Sequence, residues 1–314
     1  MMKFVRMIDW KSVEDFLAIH PSAPTHWPEW NRIVSKHYGT EFFYFVAYEE
    51  NKLIGICPVH KVNKSMQSTL FSGQFHFIPY GGWILSEKVS EEGLCFPIRG
   101  NEAISGFALP CIDGYAQEWK MRQSVKLMAT LCLDLAKEEE WLWMNAVDSK
   151  RRNMIRKATK NRIQVETVDK DNFAVFYDLY RLTNEMHGLI SLSKDCLSEL
   201  FFNTEKITFW GMLTWHNDRA LSAIVIVFDK DYALYWLGAG AADAPNLGQG
   251  ELLQWEAIKH AKRAGCKFYD LCYIEKERLP AIYEFKKGFA KDEYSVVHFS
   301  QRSFGYRLLN KLSR

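Results

Sequence analysis

A chain of 314 residues has room for two domains of ~150 residues each. Its 48% hydrophobic and 25% charged residues exclude global disorder, collagen and a small disulfide scaffold, and 15% aromatic residues supply rings for large cores or ligand grooves. Forty basic against 38 acidic residues give a formal charge of +2, so any polyanion site has to be a local patch.

In chain order, residues 42–48 (FFYFVAY) read as a strand and Glu49-Glu50-Asn51-Lys52 as its turn. The return strand is 53–61 (LIGICPVHK), pushed toward an edge or a bulge by Pro58. Short strands at 68–74 and 83–85 flank the loop Phe77-Ile78-Pro79-Tyr80-Gly81-Gly82. Residues 119–141 hold few breakers, and Val125, Met128, Leu131, Cys132 and Leu135 share a helical face, which predicts a helix. A closing strand is expected over 141–146. The second half repeats the order. Helices are expected over 173–188 and 196–202, then a hairpin of 207–215 and 220–229 turned at His216-Asn217-Asp218-Arg219, then a strand over 232–240. A helix from near Gly248 to Gly265, a strand over 267–272, a short helix from Pro280 to Lys287 and a strand over 294–299 complete it. The repeated order of helices, meander, helix and closing strand, with no exact sequence repeat, divides the chain into 1–148 and 149–314. The expected fold class is α/β (α+β), as two tandem units, each a mixed, mostly antiparallel sheet flanked by helices.

The seven cysteines form no CxxC pair, and most lie in apolar runs such as GICPV and TLCLDL. They read as buried thiols of a reducing cytoplasm, and no ligand pair has the spacing of a metal site, so none is expected. Charges begin too early at the N-terminus for a secretory leader, and no apolar run approaches the ~20 residues of a spanning helix. The expected place is the cytoplasm, at most its inner membrane face.

Between the strand at 232–240 and the next helix stands LGAGAADAPNLGQGELL. Gly248-Gln249-Gly250 at a helix start lets backbone amides approach an anion at the positive end of the helix. The plainer reading is a flexible strand-to-helix turn. Three further segments sharpen the picture: Pro79-Tyr80-Gly81-Gly82-Trp83-Ile84-Leu85 after a strand ending in Cys57-Pro58-Val59; the basic run KRRNMIRKATKNR at 150–162; and Tyr269-Asp270-Leu271-Cys272-Tyr273 followed by Glu284-Phe285-Lys286-Lys287-Gly288-Phe289. With Leu252-Leu253-Gln254-Trp255-Glu256-Ala257-Ile258, these resemble in order the motifs of the FemAB-like peptidoglycan-bridge aminoacyltransferases and their GNAT-related, CelD-like exopolysaccharide relatives. The resemblance covers about 27–290. It departs at Ala290, which replaces the final glycine of the "FKkgfG" turn, and at Pro245, which stands where the GNAT pyrophosphate loop has Gln or Arg. The heptad arm of some Fem proteins is absent.

The resemblance implies two GNAT-like domains and transfer of an acyl or aminoacyl group, from acyl-CoA or aminoacyl-tRNA, to an amine of a cell-envelope precursor. Such a reaction needs a deprotonated amine, a stabilised oxyanion and an accommodated leaving group. Lys286 matches the family lysine and would face the oxyanion or a donor phosphate, with Phe285 beside it and Gly248, Gln249 and Gly250 holding the donor. Asp270 would act as base or orienting group, Tyr273 as acid to the leaving group, and His187, at the end of the 173–188 helix, as a second candidate base. Plainer readings are a solvated lysine, a buried structural carboxylate, core packing and a surface histidine. Arg152 and Lys157 in the basic run would contact phosphates, and Tyr80, Gly81, Gly82 and Trp83 would form a sugar or peptide platform; a solvated helix face and a tight turn are the alternatives. The tail 301–314 sets Phe304, Leu308, Leu309 and Leu312 among Arg302, Arg307, Lys311 and Arg314, as an interfacial helix for a lipid-linked acceptor would, or one docked on its own core.

The leading expectation is an N-acyltransferase using acyl-CoA, with aminoacyl-tRNA as the other donor. Two further classes stay open: an inactive glycan- or peptide-binding protein on the same fold, and RNA binding without transfer, which the near-zero net charge disfavours.

Overall fold

The computed structural model describes residues 2–86, 95–115 and 126–312. The chain divides into two compact units, Met1–Thr130 with Tyr294–Arg314, and Leu131–Glu293. The division expected at 148/149 falls inside the second unit.

The first unit starts β1 (Lys3–Met7), α1 (Trp10–Ile19), α2 (Pro28–Tyr38), β2 (Glu41–Glu49), β3 (Lys52–Lys64), β4 (Gln67–Ser72), β5 (Ile84–Leu85) and β6 (Glu102–Phe107). Next come β7 (Lys126–Asp134), α3 (Glu139–Trp141), a π-turn (Leu142–Ala146), α4 (Ser149–Lys160), β8 (Gln164–Thr167), α5 (Phe173–Met186) and α6 (Lys194–Phe202). The second unit continues with β9 (Thr208–His216), β10 (Arg219–Phe228), β11 (Tyr232–Gly240), α7 (Gln249–Arg263), β12 (Phe268–Asp270) and α8 (Pro280–Lys287). The chain then returns to the first unit with β13 (Asp292–Arg302) and α9 (Phe304–Leu312).

In the first unit the strands lie β1-β2-β3-β4-β6-β13, with β5 on β3; β4 and β6 are parallel and the other pairs antiparallel. In the second they lie β7-β12-β11-β10-β9-β8, with only β11 and β12 parallel. Alternation places Phe43, Phe45 and Ala47 of β2 in one core with Cys57, Val59, Leu70, Ile104 and Phe299. The second core joins Leu131, Leu133, Ile224 and Ile226 to Leu253, Ala257, Ile258 and Ala261 of α7. Local chemistry sets the boundaries. Asp148 caps α4 by accepting from the Arg151 amide (2.7 Å), Ser193 caps α6, and Gly39 ends α2 in the left-handed region. Asn217 and Asp218 both take positive φ, as a two-residue hairpin turn requires.

The meanders and the second-unit helices stand where the sequence pattern put them. Two elements do not. The helix expected over 119–141 is replaced, from Lys126 to Asp134, by β7; residues 119–125 lie outside the described residues. The helical spacing misled because Leu131, Cys132 and Leu133 are all buried, so the strand is covered on both faces and shows no alternation. The strand expected over 141–146 is the π-turn, closed by Arg152 on the carbonyls of Trp143, Met144 and Val147. Pro58 sits inside β3, paired to Tyr44, where β3's other edge has passed β5 and not yet met β4. Of the cysteines, Cys57, Cys132, Cys196 and Cys266 are buried; Cys95 is exposed, and Cys111 and Cys272 are half-buried, which corrects their reading as core thiols.

Candidate active site

The parallel pair of the second unit comes apart. β11 and β12 pair only from Tyr232 opposite Phe268 to Leu234 opposite Asp270. β12 ends there, whereas β11 runs on to Gly240. On its other edge the register with β10 slips between Val225 opposite Leu237 and Ile226 opposite Tyr235, which leaves Trp236 as an extra residue. Such a bulge bends and overtwists its strand, and this one begins one residue past the last pairing with β12. Among the described residues no strand takes the β12 side of β11 beyond Leu234. The result is a slot with main-chain edge on one side, suited to an extended ligand bearing amides.

A short relay sets a cation where the strands part. Asp270, 0% exposed, accepts from the Tyr232 hydroxyl through Oδ2 (2.5 Å) and from the Cys272 amide through Oδ1 (2.8 Å). The second bond holds Cys272 at φ +61°, a left-handed conformation that a non-glycine residue adopts only when fixed by its surroundings. The Cys272 carbonyl in turn receives Nζ of Lys286 (3.1 Å). Lys286 lies on the inner side of α8, 8% exposed, with its ammonium 5.7 Å from the Tyr235 ring centre. Burial pulls its pKa below the ordinary lysine value, while Cys272 and Asp270 push the other way. Burial raises the Tyr235 phenol to about 12 and holds Tyr273 higher still, so both stay protonated.

α7 begins beside this cluster. Gly248 caps it at φ +84°, and a Cβ there would overlap the Met154 carbonyl of α4, so only glycine fits. Gly250 opens onto free space. Gln249 braces the turn, accepting from the Leu247 amide (2.9 Å) and donating to the Pro245 carbonyl (3.0 Å). One turn further along α7, buried Gln254 donates to the Tyr269 hydroxyl (2.6 Å), which ties the helix to β12 next to Asp270. Arg151 joins three helices: it pairs with Glu251 of α7 (2.9 Å), donates to the Glu284 carbonyl of α8 (3.1 Å) and lies over the Phe285 ring (4.8 Å).

The basic run splits by function. Arg152 is spent on the π-turn carbonyls, and Lys157 donates to the Asn246 carbonyl before the glycine turn (2.6 Å). Lys150, Arg156, Lys157, Lys160 and Arg162 are exposed. His187 is exposed at the C-terminus of α5. The first-unit segment Tyr80, Gly81, Gly82 and Trp83 is buried: Trp83 packs on Phe4 and Phe96, the Gly81 amide donates to the Phe107 carbonyl (2.8 Å), and the Gly82 amide donates to Ser72 Oγ (2.8 Å). Its rings therefore turn into the core, and no platform faces outward. Among the described residues no group of three His, Cys, Asp or Glu side chains comes together as a metal site, and no helix is long and apolar enough to cross a membrane.

Sequence reasoning joined Lys286, Asp270 and Tyr273 but missed Tyr232, Tyr235, Cys272 and Arg151. The available signal was the strand YALYWLGAG itself, whose inward tyrosines are hydroxyl-bearing at the level of Asp270.

Residues 148–287 match the family described as an acetyltransferase (GNAT) domain. Among solved structures, the chain is similar to FemX, at 12% identity and a TM-score of 0.67 over 99% of this chain and 100% of that one. It is similar to the C-terminal domain of a putative lysylphosphatidylglycerol synthetase from Agrobacterium fabrum, at 11% identity and a TM-score of 0.56 over 97% and 94%. A tandem GNAT protein from the clavulanic acid biosynthesis pathway follows, at 10% identity and a TM-score of 0.51 over 96% and 98%. At these identities the likeness is one of fold.

Proposed function

We propose that this chain, whose residues 148–287 match the acetyltransferase (GNAT) domain family and whose fold is similar to that of FemX, is an acyltransferase that moves an acyl group from acyl-CoA to an amine of a cell-envelope sugar or peptide precursor. The observation that carries the reading is the Lys286 ammonium fixed at the mouth of the slot between β11 and β12. The amide-bearing arm of the donor would lie along the free edge of β11, with its phosphates toward the start of α7. The neutral amine attacks the thioester carbonyl. Lys286 stabilises the oxyanion that develops, in a setting that burial keeps low in dielectric. As the C–S bond breaks, the proton lost by nitrogen passes through Tyr273 to the departing sulfur. Asp270 acts as a positioning residue, because it sets the Cys272 carbonyl that holds Lys286.

The test is thiol release from an acyl-CoA panel with amino-sugar and peptide acceptors. Lys286→Ala should lower kcat roughly 10²–10³-fold with the circular dichroism spectrum unchanged. A wild-type rate in that variant removes Lys286 from the reaction. One observation favours an aminoacyl-tRNA donor instead: the exposed cations of α4 and the following turn form an acid-free face along 150–162. Transfer from aminoacyl-tRNA, with none from acyl-CoA, would select that donor.

A further inference from the structure

One surface of the first unit has no part in transfer chemistry. α9 lies on the loop before β6: the Ser303 hydroxyl donates to the Gly100 carbonyl (2.7 Å), the Ser303 amide to the Glu102 carbonyl (3.0 Å), and Gly305 sits so close to Gly100 that a Cβ would strike its carbonyl. The same loop holds the β3–β4 hairpin tip, through Asn101 Nδ2 to the Met66 carbonyl and the Ser68 amide to the Asn101 carbonyl (3.1 Å). Three segments distant in sequence thus make one face.

That face is apolar and basic at once. Phe304 is 82% exposed, Met66 66% and Leu308 50%. Phe304 and Leu308 are four residues apart, so they rise from one side of α9. Gly305, Tyr306 and Leu309 are only half-exposed, so the helix already packs its other side and still leaves large side chains outward. Around them Lys64, Arg99, Arg302 and Arg307 are exposed, and among the described residues 63–67, 95–101 and 301–309 there is no acid. Apolar side chains ringed by cations, with no carboxylate among them, complement an anionic lipid surface: the rings enter the headgroup boundary while the cations meet phosphates.

We propose that α9, the β3–β4 tip and the 99–101 loop form a docking surface for anionic lipid bilayers. Its failure is separable from that of the transfer reaction, because none of its residues belongs to the site around Lys286. The test is cosedimentation of the full chain with vesicles of phosphatidylcholine alone and with vesicles rich in phosphatidylglycerol. The chain should partition at least about tenfold more strongly to the anionic vesicles and lose that preference as salt is raised. Phe304→Ser with Leu308→Ser, and separately Arg302→Glu with Arg307→Glu, should each weaken binding roughly tenfold or more. Both variants should keep the wild-type melting temperature and the wild-type rate toward a soluble amine. Equal binding to both vesicles, no binding to either, or self-association of the chain that Phe304→Ser with Leu308→Ser abolishes would overturn the proposal.

Discussion

Each unit carries one parallel strand pair, and the two pairs end differently. In the first unit β4 and β6 are paired along their shared length, from Ser68 opposite Glu102 to Ser72 opposite Gly106, and Gly81 then bridges in parallel to Ala108. Main chain from the Tyr80-Gly81-Gly82 segment fills the place where a ligand would enter. In the second unit β11 and β12 part after three residue pairs, and nothing from the described chain zips them further. A bulge at Trp236 and two fewer residue pairs separate a closed scaffold from an open slot. The same kind of strand pair is therefore closed by packing in one unit and left open at the candidate site in the other, and the buried ionisable groups divide in the same way. The closed unit hides neutral histidines; the open one hides a cation with a carboxylate relay.

The largest effect should come from forcing the closed pair open. A Cβ at Gly106 would overlap the Ser72 carbonyl oxygen and press on the Phe299 ring, and neither backbone can yield. Gly106→Ala should cost the first unit about 4 kcal/mol or more, enough to unfold it or to halve the cooperative transition. Chemical denaturation followed by fluorescence of its tryptophans reads this directly. A variant of wild-type stability would show that the pair can separate after all.

Acid should act next, and on the first unit. His26 is buried with its pKa lowered to about 4, and His60, between the Phe42 and Phe75 rings, to about 3, in both cases by burial. As pH falls from 6.5 toward 4, the unfolded chain takes up protons that the native histidines refuse, so stability falls with pH. Each site contributes on the order of 3 kcal/mol once the pH is below its folded value. His60→Gln should flatten the acid limb measured by urea titration. The second unit predicts the same sign at the alkaline end. Lys286 releases its proton below the ordinary lysine value, so native stability rises with pH in that window while the transfer rate falls. A rate that rose there would assign Lys286 to a role as base.

Smaller again is the relay behind the cation. Tyr232→Phe removes a hydroxyl donor to buried Asp270 and should cost about 1–3 kcal/mol of stability. Because the Cys272 amide still fixes the turn, kcat should fall less than tenfold in that variant, whereas Asp270→Ala frees the turn and should approach the loss seen for Lys286→Ala. Equal rates for wild type and Asp270→Ala would leave the carboxylate a packing group.

Much of this was legible in the sequence where one physical rule acts alone. Alternation gave the meanders, the glycines at 248 and 250 gave the start of α7, and the order of Asp270, Tyr273 and Lys286 along the chain grouped them in one candidate site. The misses occurred where two rules give the same pattern. β7 is covered on both faces, so it carries a run that also fits a helix. Tyr80 and Trp83 look like a ligand platform because rings beside glycines suit both a binding loop and a close-packed knot. The bulge at Trp236 leaves no sequence mark at all, since it depends on how β11 registers with β10.

The smallest effect tests whether the glycine turn is shaped by its own bonds. Gln249 closes a ring with Leu247 and Pro245, and Lys157 adds the Asn246 carbonyl, so three contacts hold the loop that precedes α7. All three are exposed or half-exposed, and removing one should cost only about 0.5–1 kcal/mol. Gln249→Ala should therefore leave the melting temperature nearly unchanged and raise KM for the donor severalfold, with kcat intact, because a looser loop presents the first amides of α7 less well. A fall in kcat with KM unchanged would place Gln249 at the reacting carbonyl instead, and the open end of the pair would then be a catalytic surface along its whole length rather than a binding slot with one cation at its mouth.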